Sequence, residues 1–338
     1  MAEKFVLIGS GLAGGLLAAF FGRRGYKVEL FERRADPRAG NFVGGRSINL
    51  ALSTRGIHAL AQLGLADAVL KHAIPMRGRM IHHKSGLLHF APYDRDPNKH
   101  INSIGRAALN TVVIEAALRH PNVRVLFNHQ CSGVDLDSAT AELVVAGAAL
   151  PASSARSVAG AVPPASGKAR LVQAHGDAII GVDGAFSAVR QSMQRQISGF
   201  EYNEDYLAHG YKELTIPPAA GGSWRMEKEA LHIWPRKSFM MIALPNPDGS
   251  FTCTLFWEFK GPRSFETTKT DEDVRRFFDE EFPDAVPLMP ALLEEYRVNP
   301  TGSLVTIRCS PWHYQDKVAL VGDAAHAVVP FYGQGMNA

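Results

Sequence analysis

Apolar positions along this chain fall into two kinds of run, and their order predicts a mixed α/β protein. Lys4 to Ile8 is a short apolar run that stops at Gly9-Ser10-Gly11-Leu12-Ala13-Gly14, and Ala13 to Arg24 has the Ala- and Leu-rich pattern of a buried helix. Gly25 ends that helix, and Val28 to Phe31 reads as a second strand. Ser53 is placed as the N-cap of a helix through Leu63 that Gly64 closes. Met76 to His83 alternates as a strand carrying Arg77 and Arg79, with Leu87 to Phe90 as its hairpin partner across Lys84-Ser85-Gly86. Ser103 to Arg119 predicts a helix on which Arg106 and Asn110 stand one turn apart.

Further along, Val123 to Phe127 and the segments around Leu136 and Leu143 read as short strands. Ala139 to Gly167 is rich in Ala, Ser, Gly, Pro and Val and has no period, so it predicts a surface insertion in a hairpin. A buried strand, Asp177 to Val182, then runs into Asp183-Gly184 and a helix start near Ser187 and Arg190. From Tyr206 the texture becomes strand-like: Gly210 to Ile216, Leu231 to Trp234, Phe239 to Leu244 and Phe251 to Glu258 predict an antiparallel meander. Thr270 with Asp273 has the spacing of a capping box, a helix follows near Leu292, and Leu304 to Cys309 reads as a strand. Val318 begins a last apolar strand that ends at Gly322-Asp323.

Composition narrows the function classes. A chain of 338 residues, 46% hydrophobic and 20% charged, is long enough for two intimately packed parts around a sizeable core. Its 36 Lys and Arg against 33 Asp and Glu give +3 with no block of like charge, which points to a small-molecule partner and away from nucleic acid. Cys131, Cys253 and Cys309 are isolated, so neither a disulfide framework nor a metal site is expected, and a reducing compartment fits. No apolar run approaches the roughly 18 residues of a spanning helix, and no signal-peptide core precedes the first strand, so the chain as given is expected to be soluble.

The chemistry concentrates where strands meet glycines. Gly9, Gly11 and Gly14 between a strand and a helix, with Glu32 at the end of the next strand, make a dinucleotide fingerprint: glycines for the tight turn and the close approach of a pyrophosphate, an acid for a ribose hydroxyl. Asp183-Gly184 and Gly322-Asp323 are two further strand-end turns of the same type, so the fold is expected to bring the three together. Arg79 has two readings, a solvated strand face or a clamp on a carboxylate, and Tyr93 stands where it can add a phenolic hydrogen bond.

These motifs, together with Gly45-Arg46-Ser47-Ile48-Asn49-Leu50-Ala51-Leu52-Ser53, Met76-Arg77-Gly78-Arg79-Met80, Leu231-His232-Ile233-Trp234-Pro235 and Val329-Pro330-Phe331-Tyr332-Gly333-Gln334-Gly335-Met336-Asn337, resemble the single-component FAD aromatic hydroxylases of p-hydroxybenzoate hydroxylase type, and within them the kynurenine 3-monooxygenase family. The resemblance implies an α/β fold: a Rossmann-like FAD-binding domain with a mostly antiparallel β-sheet substrate domain. The implied division is 1–75, 101–200 (139–167 a flexible insertion) and 301–338 for the FAD-binding parts, against 76–100 and 201–300 for the substrate part. Gly9, Gly11, Leu12, Ala13, Gly14, Glu32, Arg33, Ala51, Arg106, Asn110, Asp183, Asp323, Met336 and Asn337 are the implied FAD contacts. Arg79 and Tyr93 are implied to bind the carboxylate of kynurenine, while Leu231, Met240, Leu244, Phe256, Pro330 and Phe331 are implied to wall its aromatic ring.

The implied activity converts L-kynurenine to 3-hydroxykynurenine with NADPH and O2, in tryptophan degradation towards NAD. A flavin hydroperoxide is implied to carry the oxygen, with no catalytic side chain, no metal and no nucleic acid. The resemblance further implies a C-terminal helical region beyond Asn337 with more substrate contacts, so a C-terminally truncated member that holds FAD weakly is expected. The mitochondrial outer membrane is the implied location for a full-length eukaryotic member and the cytoplasm for a bacterial one. Two other readings stay open: a related hydroxylase of another aromatic acid, and a catalytically silent flavoprotein fragment.

Overall fold

The computed structural model describes residues 3–39, 49–145, 170–329 and 335–337. From the N-terminus, β1 (Lys4–Ile8) and β2 (Lys27–Phe31) flank α1 (Leu12–Arg23). Then come β3 (Asn49–Leu52), α2 (Thr54–Ala61), α3 (Ala66–Leu70), β4 (Ile74–Met76), the hairpin β5 (Gly78–His82) and β6 (Leu88–Pro92), and β7 (Ile101–Gly105). Helix α4 (Arg106–Leu118) follows directly, and β8 (Val123–Leu126), β9 (His129–Asp135), β10 (Thr140–Val145), β11 (Arg170–His175), β12 (Ala178–Gly181) and α5 (Ala188–Gln196) succeed it. The long β13 (Glu201–Ile216) leads to β14 (Ala230–Arg236), β15 (Phe239–Pro245) and β16 (Phe251–Glu258). The last elements are α6 (Asp271–Glu281), α7 (Leu292–Val298), β17 (Gly302–Ser310), β18 (His313–Tyr314), β19 (Val318–Leu320) and the single-turn α8 (Asp323–His326).

Two compact units emerge, each from three stretches of chain. The first comprises Met1–Gly44, Leu109–Glu204 and Thr306–Val328. Its main sheet has the order β18-β19-β12-β1-β2-β8, parallel from β19 to β8, with β18 antiparallel at one edge. Helix α1 stops where Gly25 turns to φ 84°, with Tyr26 N–H donating to the Phe21 carbonyl, the arrangement that an αL glycine allows and a side chain would strain. Gly15 and Gly22 let α1 approach Val113 of α4 and Val123 of β8, whose methyls an added Cβ would strike at 2.9 and 2.7 Å. Val6, Ile8, Ile179, Val189, Met193 and Leu320 form the core beneath, shared with the three-stranded sheet β11-β10-β9.

The second unit comprises Gly45–Ala108, Asp205–Val305 and Val329–Ala338. Its seven-stranded sheet runs β17-β13-β16-β15-β14-β5-β6, antiparallel from β13 through β14, with β14 parallel to β5. One face of that sheet is the core: Trp234, Met241, Cys253, Leu255 and Trp257 pack on Phe277 and Phe278 of α6, Phe282 at its C-cap and Leu292 of α7. Trp257 stacks on Phe277 with ring centroids 3.9 Å apart. The predicted capping box starts α6, Thr270 Oγ1 accepting from Asp273 N–H. A small sheet, β3-β7-β4, is tied to the end of β15, where Asn49 Nδ2 and Ser103 Oγ both donate to the Pro245 carbonyl at 3.0 and 2.9 Å.

The structure departs from the pattern reading in four places. Ser103 opens no helix: 101–105 is β7, paired with β3 and β4, and the helix begins at Arg106. The predicted strand from Met76 is two strands in different sheets, with Met76 ending β4. The insertion expected from Ala139 begins later, because 140–145 is β10, held between β9 and β11; the rest of that low-complexity stretch lies outside the described residues. Finally, where the resemblance implies an FAD-binding part, 49–75 and 101–108 group with the seven-stranded sheet, Asn49 and Ser103 being bonded to Pro245.

Candidate functional site

In the first unit, four strands end side by side in the order β19, β12, β1, β2, and each of the chemistry-bearing turns lies at one of those carboxyl ends. This is where parallel α/β sheets bind nucleotides. Gly9, at φ 106°, leaves β1 so close to β12 that an added Cβ would meet the Val182 carbonyl oxygen at 2.6 Å and Asp183 Cα at 2.8 Å. Gly14 faces back onto the Gly9 carbonyl, leaving no room for a side chain. Gly322 brings the last turn against α1, its Cβ direction ending 3.5 Å from Ala13 Cβ. The three turns predicted to converge do so.

Gly11 is different. A Cβ there would have nothing within 4 Å, so the protein's own packing does not demand a glycine at this position. It is the N-cap of α1 and gives the helix no side-chain cap, so the open space lies at a helix end that favours anions. A pyrophosphate fits these residues. Leu12 and Ala13 form the first turn above it, Ala13 exposed.

Glu32 is buried, its Oε2 accepting from Ser10 N–H at 2.8 Å and its Oε1 from Arg34 N–H at 3.0 Å, so the acid clasps the glycine turn as well as facing it. Arg33 beside it is exposed. Asp183 caps α5: Oδ2 accepts from Ala188 N–H at 2.7 Å, while Oδ1 is shut from solvent without a hydrogen-bond partner among the described residues. Burial pushes its carboxyl up, opposed first by the Ser187 hydroxyl and then by the backbone N–H groups it accepts from. Asp323 opens α8 and is exposed. Buried Arg190 donates to the Ala324 carbonyl at 2.8 Å, fastening α5 to α8. Asn110, on α4, also has a buried Oδ1 with no partner among the described residues.

The remaining cofactor candidates lie in the second unit. Arg106 opens α4 with its side chain exposed, and its charge is felt by Tyr211, whose hydroxyl is pushed up by burial and by Glu213 and pulled down by Arg106. Ala51 is in β3, and Asn337 grips that strand: its Nδ2 donates to the Ala51 carbonyl at 2.8 Å and its Oδ1 accepts from Ser53 N–H at 2.9 Å. Both ends of the Asn337 amide therefore serve the backbone, a role its sequence context did not signal. Met336 is half-buried beside it.

The substrate candidates share one surface of the second unit. Register across the seven-stranded sheet pairs Arg79 with Leu231, Pro235 with Met240, Met240 with Phe256, and Phe256 with Tyr211. Strand alternation then puts Arg79, Leu231, Met240, Leu244 and Phe256 on a single face, opposite the one packed on α6 and α7. Ile233, Ile242 and Thr254 are on it too; the sequence reading missed them, although their half-buried alternation was the available signal. At its margin the Arg79 guanidinium lies 5.1 Å from the centre of the Tyr93 ring. The Tyr93 hydroxyl is buried with no partner among the described residues, and burial pushes it up while Arg79 opposes the shift. Pro330 and Phe331 lie outside the described residues. Among the described residues no helix is long and apolar enough to cross a membrane.

Comparison with known proteins gives a consistent set. The FAD binding domain family model matches residues 4–338. Kynurenine 3-monooxygenase of Myxococcus xanthus is 48% identical over 335 residues, covering 99% of this chain and 68% of the relative. That of Dictyostelium discoideum is 47% identical over 336 residues, covering 99% and 67%. Among solved structures, 2-methyl-3-hydroxypyridine-5-carboxylic acid oxygenase superposes with a TM-score of 0.72 at 20% identity, covering 99% of this chain and 79% of that one. A probable FAD-dependent monooxygenase from Pseudomonas aeruginosa, pqsL, gives 0.69 at 18% identity, covering 100% and 82%. The two structures show the FAD-dependent monooxygenase fold.

Proposed function

We propose, because the chain belongs to the kynurenine 3-monooxygenase family, that it hydroxylates L-kynurenine to 3-hydroxykynurenine with FAD as cofactor and NADPH and O2 as co-substrates. The observation that carries the substrate reading is the pairing of Arg79 with Tyr93 at the margin of an apolar strand face. A guanidinium offers two parallel N–H donors to a carboxylate. The Tyr93 hydroxyl, already out of water and without a partner among the described residues, gains a hydrogen bond without further desolvation. Leu231, Met240, Leu244 and Phe256 present the apolar surface an arylamine ring needs and keep water from it; Pro330 and Phe331 belong to the same proposed wall.

Bound FAD supplies the electron transfer from NADPH and the oxygen chemistry. The chain's residues bind, orient and dry the site. In this reading the α1 N-terminus at Gly11, Leu12 and Ala13 receives the pyrophosphate, and Glu32 accepts from a ribose hydroxyl. Arg33, Arg106, Asn110, Asp183, Asp323, Ala51, Met336 and Asn337 are proposed as the further cofactor contacts.

The test is NADPH oxidation by the FAD-loaded protein with and without L-kynurenine, with 3-hydroxykynurenine and H2O2 measured in the same samples. Stimulation by kynurenine matched by hydroxylated product is the expected result. Oxidation indifferent to kynurenine would overturn the proposal.

A further inference from the structure

Strand β6 ends the seven-stranded sheet on one side, and among the described residues no strand pairs with its outer side. Its inner side is taken up by β5. Tyr93 N–H donates to the Arg77 carbonyl and His83 N–H to the Leu87 carbonyl, and between those bonds the register sets Arg79 opposite Ala91 and Ile81 opposite His89. In an antiparallel ladder, opposed residues exchange hydrogen bonds at every second position. His89 and Ala91 therefore turn their backbone groups toward β5. Leu88 and Phe90 turn both N–H and C=O outward, and Pro92, with no N–H, adds a carbonyl.

The side chains along this edge are apolar and bare. Leu87, Leu88 and Phe90 are 65%, 53% and 42% exposed. Leu88 and Phe90 share the face of Met80 and His82, the residues opposite them. Phe90 is held there by its own fold, its ring tip lying 2.7 Å from where a Cβ on Gly78 would stand. Sheet edges are ordinarily guarded by a lysine, an inward-pointing charge, a bulge or a proline within the strand. Residues 88–92 hold no Lys, Arg, Asp or Glu, their register with β5 shows no shift, and their proline comes last.

The charges flanking the strand indicate which partner suits it. Lys84 lies in the turn before β6 with its side chain 56% exposed, bonded to Glu281 at 2.7 Å. Asp94 and Asp96 follow β6, Asp94 accepting from Lys99 at 3.2 Å and Asp96 only from Asn98 N–H among the described residues. An antiparallel partner must set outward-facing residues opposite one another, so a second β6 aligns Phe90 either with Phe90 or with Leu88 of the second copy. Both alignments answer the N–H and the C=O of Phe90. In the first, Lys84 falls near Asp96 of the second copy, and in the second near Asp94; Arg95 falls near Ser85 or His83. Each basic turn thus meets the acidic end of the other copy, once on either side of a two-fold axis. Parallel pairing in register would set like charges together instead.

We propose that the outer edge of β6 is a homodimer interface: two copies of the chain join edge to edge and antiparallel, running their seven-stranded sheets into one. Leu88 and Phe90 of the two copies cover each other along the seam, and the outward backbone groups pair across it. Arg79 is on the next strand inward, so the substrate candidates of each copy border the seam.

The test is sedimentation velocity of the FAD-loaded protein over a range of concentrations, with amide-resolved hydrogen exchange at both ends of that range. A reversible dimer is expected, in which the Leu88 and Phe90 amides become protected as concentration rises while those of His89 and Ala91 are protected throughout. Leu88→Lys puts a charge on the bare edge of each copy and is expected to weaken dimerisation about tenfold or more, with flavin retained and circular dichroism unchanged. A protein that stays monomeric up to about 100 µM would overturn the proposal. So would a dimer that Leu88→Lys leaves at parental strength, or one whose Leu88 and Phe90 amides exchange freely. Leu88 and Phe90 amides protected in the monomer would overturn it too, by showing that another segment of the same chain covers the edge.

Discussion

Gly11 and Gly14 separate what the fold needs from what the cofactor needs, and the separation can be measured. Gly11 has φ −65° and ψ −174°, ordinary extended backbone, and no atom within 4 Å of an added Cβ. Gly11→Ala is therefore expected to leave the stability of the cofactor-free protein within about 0.5 kcal/mol of the parent. The same methyl points into the space assigned to the pyrophosphate. Overpacking of a close contact costs about 1–3 kcal/mol, so the Kd for FAD should weaken by roughly 5- to 150-fold. Gly14→Ala behaves oppositely: its Cβ falls on the Gly9 carbonyl, a backbone atom that cannot step aside, and the cofactor-free fold should lose about 3 kcal/mol or more. Urea denaturation of the cofactor-free proteins and titration of flavin fluorescence would give the two numbers for each variant. A Gly11→Ala protein that binds FAD with parental affinity would remove the phosphates from this turn.

Three further outcomes follow from particular contacts. Arg79→Ala removes an exposed side chain, so stability should hold while the KM for L-kynurenine rises about 10- to 150-fold, the effect of losing about 1.5–3 kcal/mol of charged hydrogen bonding; an unchanged KM would contradict the carboxylate assignment. His232 titrates near pH 4 in the fold against 6.5 when unfolded, so between those values the unfolded chain binds more protons and stability rises with pH. That contribution, about 3 kcal/mol, is complete above pH 6.5 and lost as pH falls to about 4. Comparison of denaturation at pH 7 and pH 4.5 should show a smaller acid loss in His232→Asn, and an identical loss would refute the assignment. Asn337→Ala strips the Ala51 carbonyl and Ser53 N–H of their side-chain partner and should cost about 1–3 kcal/mol in the same denaturation assay; a cost near zero would show that the grip contributes nothing.

What could be read from the sequence was local. The glycine turn, Glu32, the Thr270 capping box and the meander of β14, β15 and β16 each declare themselves within a few residues, because turn chemistry and alternation are short-range effects, whereas β13, expected to begin that meander beside β14, pairs with β16 instead. Strand β7 was misread as helix because its boundary with α4, at Gly105-Arg106, carries no stop signal and only pairing with β3 and β4 decides it. Strand β10, by contrast, showed as the short strand read around Leu143, even at the start of a low-complexity stretch. The shared face of Arg79, Leu231, Met240 and Phe256 depends on register between strands more than 150 residues apart in part, and hydrogen bonds linking Asp284, His82 and His232 join three distant segments. No local pattern encodes either. The hydrogen bonds of Asn337 span 286 residues to Ala51, beyond any periodicity argument.

The braided course of the chain also governs how it can be made. Strand β1 has β2 beside it almost at once, but its other neighbour, β12, is about 170 residues downstream, and β12 in turn needs β19 near the far end of the chain. At synthesis rates of about 5–20 residues per second, the first strand waits roughly 10–30 seconds with one hydrogen-bonding edge bare. Neither unit can close while its last stretch is still unmade, since each is assembled from three separated pieces. Vectorial, unit-by-unit folding on the ribosome is thus closed to this protein, and its nascent form depends on that bare edge being shielded until the later strands arrive.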